Sequence, residues 1–196
     1  MARTAWTLLL GLAATLLACG HEEPSKKSRP PGDAAYQRDG DGTRREVANA
    51  HELHAPPELR VETWVKGDQT NFARLRGKVV LLYFWGCWSE DAMEHLPRLN
   101  ELHEKLASKG LVILAIHTQR SKDEVERTVE DHKLEFHVVI DAATETGTNG
   151  ATADSFHIST IPCLYILDRD GRVRFADLEM KELDRATRYL LAEKAP

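Results

Sequence analysis

Three cysteines carry the most reactive side chains of this chain, and they stand at positions 19, 87 and 163. A thiolate can attack a disulfide, bind a soft metal ion or form one half of a disulfide bond. Three cysteines in 196 residues are too few for a scaffold held together by disulfides. Because Cys19 closes an apolar N-terminal run, Cys87 and Cys163 are the pair left for thiol chemistry in the body of the chain.

The first residues have the layout of a secretory signal. Arg3 supplies a short positive start, and an apolar run follows over residues 5–18. That run is too short to span a bilayer comfortably, and small residues lead from it to a cysteine. The pattern predicts a signal peptide over residues 1–18; the alternative is an uncleaved anchor helix in which Cys19 stands by chance.

The end of this signal, Leu16-Leu17-Ala18-Cys19, resembles a bacterial lipobox. In such signals the cysteine becomes the mature N-terminus and carries a lipid. The resemblance implies a membrane attachment through Cys19 and a place in the bacterial cell envelope, facing the periplasm. Gly20 in the following position slightly favours the outer membrane over retention at the inner one.

Composition and charge exclude several classes of protein. Hydrophobic residues make up 42% of the chain and charged residues 29%, which are globular values and exclude a collagen or a polytopic membrane protein. The net charge of −5 leaves no basic excess to neutralise phosphates. We therefore expect no nucleic acid among the partners.

Residues 19–57 are rich in proline, glycine and charged residues and lack apolar periodicity. Such a segment buries too little apolar surface to offset the entropy of ordering it. The sequence therefore predicts a flexible linker over 19–57 and a domain over 58–196. His51 and His54 could share a helical turn and a metal ion, but a solvated linker is the favoured interpretation. The other histidines lack ligand spacing, so no metal and no cofactor are predicted.

Strands and helices alternate in the predicted domain. Apolar runs predict six strands, at 59–65, 79–84, 111–116, 136–140, 163–167 and 173–175. Amphipathic spacing predicts four helices, at 89–108, 121–132, 151–156 and 181–193. This succession of strands and helices predicts an α/β domain with a central mixed sheet and helices on both faces.

Two helix starts have local signals. Ser89 is a favoured N-cap, and Glu90 and Asp91 place negative charge in the first turn of the helix. Ser121 and Glu124 have the spacing of a capping box.

An ordered set of motifs carries a resemblance to a known family. Residues 75–85, LRGKVVLLYFW, lead through an aromatic loop with Trp88 into a helix that contains Pro97. A second strand motif, LASKGLVILAI, occupies 106–116, and TIPCLYILDRDG occupies 160–171. Together these resemble the thioredoxin superfamily, in its envelope TlpA/ResA-like branch, over about residues 59–193. The resemblance implies a thioredoxin-like three-layer fold in which Pro162 is a cis proline beside the active site.

The sequence departs from that family at the position of its chemistry. The family carries Trp-Cys-X-X-Cys at the first turn of this helix, where the helix terminus favours a thiolate. Here Trp88 is followed by Ser89-Glu90-Asp91-Ala92, so the two thiol positions fall on Ser89 and Ala92. The buried aspartate that thioredoxin has in the preceding strand is matched by Tyr83.

The resemblance places Cys87 and Cys163 on opposite walls of one groove, which leaves a redox function open. In this interpretation the two cysteines form a non-standard disulfide or dithiol and carry thiol–disulfide exchange. Glu90 and Asp91 oppose it, because a nearby negative charge raises the pKa of a thiol.

Two alternatives do not need thiol exchange. In the first, the domain is a redox-inactive module that binds a peptide or protein partner of the envelope in the former active-site groove. The residues expected to form that groove are Trp85, Trp88, Ser89, Ile161 and Pro162. In the second, the domain handles a metal ion or a peroxide through its cysteines and a histidine, although the family's Cys-X-X-X-Cys and Thr-X-X-Cys motifs for those tasks are absent.

Overall fold

The structure is a computed structural model that describes residues 31–145 and 149–194. The predicted signal peptide and the predicted lipid attachment at Cys19 lie outside the described residues. In the part of the chain that the structure describes, six strands form one sheet, and their bounds are β1 Val61–Lys66, β2 Val79–Trp85, β3 Leu111–His117, β4 His137–Asp141, β5 Cys163–Leu167 and β6 Val173–Ala176. The same described residues form the α-helices α1 Gly42–His51, α2 Glu90–Leu106, α3 Val125–Asp131, α4 Ala151–Ser155 and α5 Leu183–Ala192.

The sheet is mixed, with the strand order β1-β4-β3-β2-β5-β6. Strands β2, β3 and β4 run parallel, while β1, β5 and β6 each pair antiparallel with a neighbour. Strand β2 lies inside the sheet and is buried along its whole length. A continuous apolar run is the sequence pattern of a strand covered on both faces.

Helices cover both faces of the sheet, which confirms the predicted thioredoxin-like three-layer fold. The side chains of β2 alternate between two apolar clusters, with Leu81 and Tyr83 on one face and Leu82 and Phe84 on the other. Helices α2, α3 and α5 pack on the first face. Helices α1 and α4 cover the second face through small apolar residues such as Ala48 and Ala153.

The two predicted helix starts have different outcomes. Ser89 is the N-cap of α2, and its side chain accepts a hydrogen bond from the backbone N–H of Ala92 at 3.3 Å. The capping box at Ser121 is wrong. Ser121 has φ 58° and makes no capping bond with its side chain, and a short 3₁₀ helix, Lys122–Glu124, precedes α3. Its backbone carbonyl instead accepts a bond from the thiol of Cys87 at 3.4 Å.

Residues 31–54 differ from the flexible linker expected over 19–57. They form a 3₁₀ helix, Pro31–Ala35, and helix α1, and they pack on the domain. Tyr36 is buried against Phe175, with ring centroids 4.9 Å apart, and Asp33 is fully buried in an ion pair with Arg174. The composition predicted a linker because most of these contacts are polar and join residues far apart in the sequence. Such contacts leave no apolar periodicity in the segment. We call residues 31–54 the cover segment.

Candidate functional site

The two positions that the sequence assigns to the family's thiols lie at the start of α2. Ser89 is half-buried, and Ala92 is fully buried against the core. The bond from the Ala92 N–H to the Ser89 hydroxyl satisfies one of the amides that a helix start leaves without a partner. A hydroxyl and a methyl group therefore occupy these positions, and neither can exchange with a disulfide.

Tyr83 lies beneath this helix start. Its hydroxyl donates a hydrogen bond to the carbonyl of Ala92 at 2.7 Å, so it can only accept from Nδ1 of His95, which lies 3.3 Å away. Burial raises the pKa of Tyr83 well above its ordinary value, and the charge of Asp91 raises it further. Tyr83 therefore stays neutral and holds the helix in place, and it supplies no proton acceptor for thiol chemistry.

The Ile161–Pro162 peptide bond is cis, as the resemblance implied. Both residues are half-buried and line an open cleft of about 410 Å³. The other residues that line it come from the cover segment, α2, the approach to strand β5 and the loop after β6: Asp39, Arg44, Asp91, Glu94, His95, Thr160, Glu179, Met180 and Lys181. The cleft thus lies between the start of α2 and the cis proline.

The cleft carries an excess of negative charge. Its two basic side chains are already paired, Arg44 with Asp177 at 2.5 Å and Lys181 with Glu179 at 2.6 Å. Three of its carboxylates have no ion-pair partner among residues 31–145 and 149–194: Asp39, Asp91 and Glu94. Burial and the neighbouring charges of Asp177 and Glu179 raise the pKa of Asp39, as expected where carboxylates crowd together.

The two tryptophans near the helix start have different positions. Trp85 is fully buried in β2, so the prediction that it lines the groove for a partner is wrong. Its side chain follows that of Tyr83 on the same face of the strand, which turns it into the core. Trp88 is 39% exposed, and the guanidinium of Arg120 lies 4.2 Å from its ring centroid. Gly86 permits this position, because a Cβ there would lie 2.5 Å from Nε1 of Trp88.

Cys87 lies just outside the end of β2 and contacts His117, at the end of β3. The Sγ atom of Cys87 is 3.1 Å from Nε2 of His117, and the same Nε2 accepts the backbone N–H of Cys87 at 2.9 Å. Nδ1 of His117 lies 2.6 Å from the carbonyl of Thr118, so Nδ1 carries the proton and Nε2 accepts. Sequence reasoning missed this histidine, because only the pairing of Trp85 with His117 brings the two strand ends together.

Both groups of this pair are neutral at neutral pH. Burial lowers the pKa of His117 to about 4. Burial, with a smaller contribution from the charge of Glu124, raises the pKa of Cys87. The lone pair of Nε2 accepts the Cys87 N–H, and the thiol donates to the carbonyl of Ser121. The thiol and the imidazole are therefore two neutral groups in contact, whereas a reactive cysteine needs the thiolate.

Cys163 begins β5 and is only 5% exposed. Its thiol donates a hydrogen bond to Oδ1 of Asp177 at 3.2 Å. Burial, together with the negative charge of Asp177, raises the pKa of this thiol well above its ordinary value. In this state Cys163 is a buried, protonated thiol.

The structure does not bring Cys87 and Cys163 together. Cys87 packs against the apolar cluster on one face of the sheet, whereas Cys163 belongs to the cluster on the other face. Both are free thiols. The expectation that they face each other across one groove rested on the register of β5 beside β2. That register is present, since Phe84 pairs with Cys163, but the sheet lies between the two side chains.

Neither a metal centre nor a membrane span is found within residues 31–145 and 149–194. In that part of the chain, no group of three or more histidine, cysteine, aspartate or glutamate side chains could hold a metal ion. No helix there is both long and apolar enough to cross a membrane.

Sequence comparison relates the chain to known proteins. A thioredoxin-like family model matches residues 77–173. Thiol-disulfide oxidoreductase ResA of a Bacillus cereus strain is 30% identical over 113 residues, which cover 58% of this chain and 62% of that protein. ResA of Bacillus subtilis (strain 168) is 27% identical over 107 residues, covering 55% and 56%. The chain thus spans less than two thirds of the length of these relatives.

Solved structures match a larger part of the chain. A thiol-disulfide isomerase from Corynebacterium glutamicum superposes with a TM-score of 0.63 at 21% identity, covering 71% of this chain and 97% of that one. The thioredoxin domain of a thiol-disulfide oxidoreductase from Bacteroides vulgatus superposes with a TM-score of 0.62 at 18% identity. The match covers 71% of this chain and 97% of that one. At these identities the similarity shows a shared fold.

Proposed function

We propose that this chain, whose residues 77–173 match a thioredoxin-like family model, uses the thioredoxin-like fold to bind and not to exchange thiols. It holds an extended segment of a partner protein in the cleft beside Pro162. The observation that carries this proposal is the start of α2, where the Ser89 hydroxyl caps the helix and Ala92 is packed in the core. No thiol lies among the described residues that line the cleft.

The cleft has features that suit an extended polypeptide. It is open to solvent, and the half-buried Ile161 and Pro162 offer apolar contact area. Its unpaired carboxylates give it a negative potential, which favours partner segments that carry lysine or arginine. Extended segments bind such sites through backbone pairing, with side-chain pockets adding selectivity.

Thiol–disulfide exchange through Cys87 and Cys163 is the second candidate, because the similar proteins of known name are thiol-disulfide oxidoreductases. The geometry argues against it for this chain. Each thiol has a raised pKa, and the sheet separates the two side chains. A dithiol catalyst needs both sulfurs within the distance of one disulfide bond, with a Cα separation of about 5.5–6 Å.

The first test is an insulin-reduction assay of the wild-type chain and of the double variant Ser89→Cys/Ala92→Cys. The wild-type chain should show no turnover with dithiothreitol beyond the uncatalysed rate. The double variant should gain turnover, because the contact between Ser89 and Ala92 puts the new sulfurs within reach of each other. Wild-type turnover that is lost in Cys87→Ser or Cys163→Ser would overturn the proposal.

The second test measures binding to reduced and S-carbamidomethylated lysozyme, an unfolded and basic chain without free thiols. Titration should shift the amide resonances of residues 90–95 and of Thr160, Ile161 and Cys163 in the wild-type protein. Glu94→Gln should weaken the interaction, whereas the matched change Glu104→Gln, on the same helix but outside the cleft, should not. Shifts that avoid the cleft, or the same affinity in both variants, would contradict the proposed site.

For location, we propose an envelope lipoprotein that is anchored through Cys19 and faces the periplasm. The support is the signal layout of residues 1–19. Radioactive palmitate should label the wild-type chain in bacterial cells and should not label Cys19→Ser. Membrane fractions would then distinguish an outer-membrane from an inner-membrane position. Equal labelling of both chains would refute the lipid anchor.

A further inference from the structure

We propose that the cover segment is a releasable strap, and that Cys163 beneath it is a modification site for small disulfides which opens only when the strap lifts. Each chain is modified once, and the modified residue keeps the strap in the open state. The inference rests on the contacts of the cover segment and does not depend on the proposed binding function.

Helix α1 is the part of the strap that closes over Cys163. The space beside the thiol is only about 10 Å³, and α1 lines it with Arg44, Val47 and Ala48. The opposite wall includes Tyr165 and Asp177. Without the strap, this wall and the thiol next to Pro162 would face solvent.

The strap is held mainly by charges and backbone bonds. Arg44 pairs with Asp177 at 2.5 Å, and Arg45 donates to the carbonyl of Ala176 at 2.8 Å. At the start of the segment, Asp33 accepts two bonds from Arg174 at 2.9 and 3.0 Å. When the strap lifts, these polar groups can exchange their contacts for hydrogen bonds to water.

Few apolar side chains oppose release of the strap. Among residues 32–54, Tyr36 and Ala48 are the buried hydrophobic residues. By contrast, α2 buries Leu96, Leu99 and other leucines in the core. Since burial of apolar surface supplies most of the stability of a folded chain, the strap can lift at a lower cost than α2.

Closure also leaves a polar atom without a partner. Asp177 is 2% exposed, and its Oδ2 atom accepts no hydrogen bond, while Oδ1 serves both Arg44 and Cys163. An unsatisfied buried carboxylate oxygen destabilises the state that buries it. Lifting the strap lets water reach this oxygen and frees the thiol in the same event.

The chemistry of the open state is ordinary thiol–disulfide exchange with a small disulfide. The Cys163 thiolate attacks one sulfur of the disulfide and forms a new S–S bond. The old S–S bond breaks, and the second sulfur leaves as a thiolate that takes up the proton lost by Cys163. Cys163 is oxidised and the small disulfide is reduced. The 10 Å³ space under α1 holds about one water molecule, so the modified residue keeps the strap from closing.

Release of the strap also changes the cleft beside Pro162. Asp39 and Arg44 belong to the cover segment and form part of the cleft wall. A modified Cys163 therefore leaves a wider cleft with two charges fewer. The oxidation state of small thiols around the protein would in this way set the shape of the site.

The test follows the reaction of the full chain with glutathione disulfide, with the product at Cys163 read by peptide mass spectrometry. Asp33→Asn and Arg44→Ala each break one attachment of the strap. Loss of a buried, charge-assisted hydrogen bond should accelerate modification on the order of tenfold or more in each variant. The matched control Arg127→Ala breaks an exposed ion pair on α3 and should react like the wild-type chain.

The sign of the effect separates the strap from simple electrostatics. Arg44 lowers the pKa of Cys163 in the closed state, so a purely electrostatic role predicts that Arg44→Ala reacts more slowly. Unchanged or slower reaction in both variants would overturn the proposal. A reaction no faster than hydrogen exchange of the β2 amides would also overturn the proposal, because Cys163 would then react only through global unfolding.

Discussion

Replacing Ser89 by alanine tests whether this position has become a structural one. The hydroxyl accepts a single bond from the Ala92 N–H, at the long distance of 3.3 Å, and the side chain is half-buried. N-cap serine-to-alanine changes cost about 0.5–2 kcal/mol, and the long bond places this one at about 1 kcal/mol. For a domain of this size the melting temperature should fall by about 2–4 °C.

The assay is equilibrium unfolding in urea, with thermal melting as a second measurement. Ser89→Asn is the matched control, because asparagine keeps a side-chain acceptor at the N-cap and adds no charge. Asparagine should retain wild-type stability, whereas alanine should shift the urea midpoint to lower concentration with an unchanged m-value.

Two results would refute the reasoning about Ser89. If alanine unfolds at the wild-type urea concentration, the bond to Ala92 contributes nothing. If asparagine loses as much stability as alanine, the hydroxyl matters for a reason other than capping. Either result would reopen the possibility that Ser89 serves a partner or a reaction.

Three further predictions concern the groups around this helix start. In the unfolded chain His117 takes up a proton near pH 6.5, whereas in the folded protein it does so only near pH 4. The free energy of unfolding should therefore fall by up to about 3 kcal/mol as the pH is lowered between these two values. Urea titrations of His117→Gln should not show this loss. The Cys87 thiol in Cys163→Ser should ionise above the pH of an ordinary thiol when followed by thiolate absorbance, and a normal midpoint would contradict its burial. Tyr83→Phe should lose about 0.5–1.5 kcal/mol in urea unfolding, because one buried hydrogen bond to the Ala92 carbonyl is lost.

Much of the fold follows from the sequence because its signals are local. The uninterrupted run at 79–84 predicts a strand covered on both faces, and β2 is buried along its length. Ser89 followed by two acidic residues predicts a helix start, and the hydroxyl caps α2. These patterns depend on a few neighbouring residues, so they survive without knowledge of distant contacts.

The alternation within β2 also contained information about the tryptophans. Trp85 is two residues beyond Tyr83 and four beyond Leu81, so it points to the same buried face. Trp88 follows the strand and is free of this alternation. Period-two reasoning applied through residue 85 would have placed one ring inside and one outside.

The rest depends on contacts between residues far apart in the sequence. Asp33 meets Arg174, and Cys87 meets His117 only because β2 and β3 end side by side. Polar pairs of this kind have no periodicity, and a segment held by them resembles a solvated linker in composition. The positions of the two cysteines on opposite faces of the sheet could not be predicted for the same reason. The pairing of two strands does not determine on which face of the sheet the residues of a neighbouring loop pack.

The cover segment has a consequence for self-association. Outer strands of a sheet present unpaired amides and carbonyls to which another molecule can add a strand. Here the backbone of Asp39 donates to the carbonyl of Asp177 at 2.6 Å, and Leu53 donates to that of Val173 at the same distance. Both ends of β6 are thus occupied by the chain's own N-terminal side. If residues 31–54 detach, the backbone groups at the edge of β6 are left unpaired and can bind a strand of another molecule. Conditions that loosen residues 31–54 should therefore also promote aggregation.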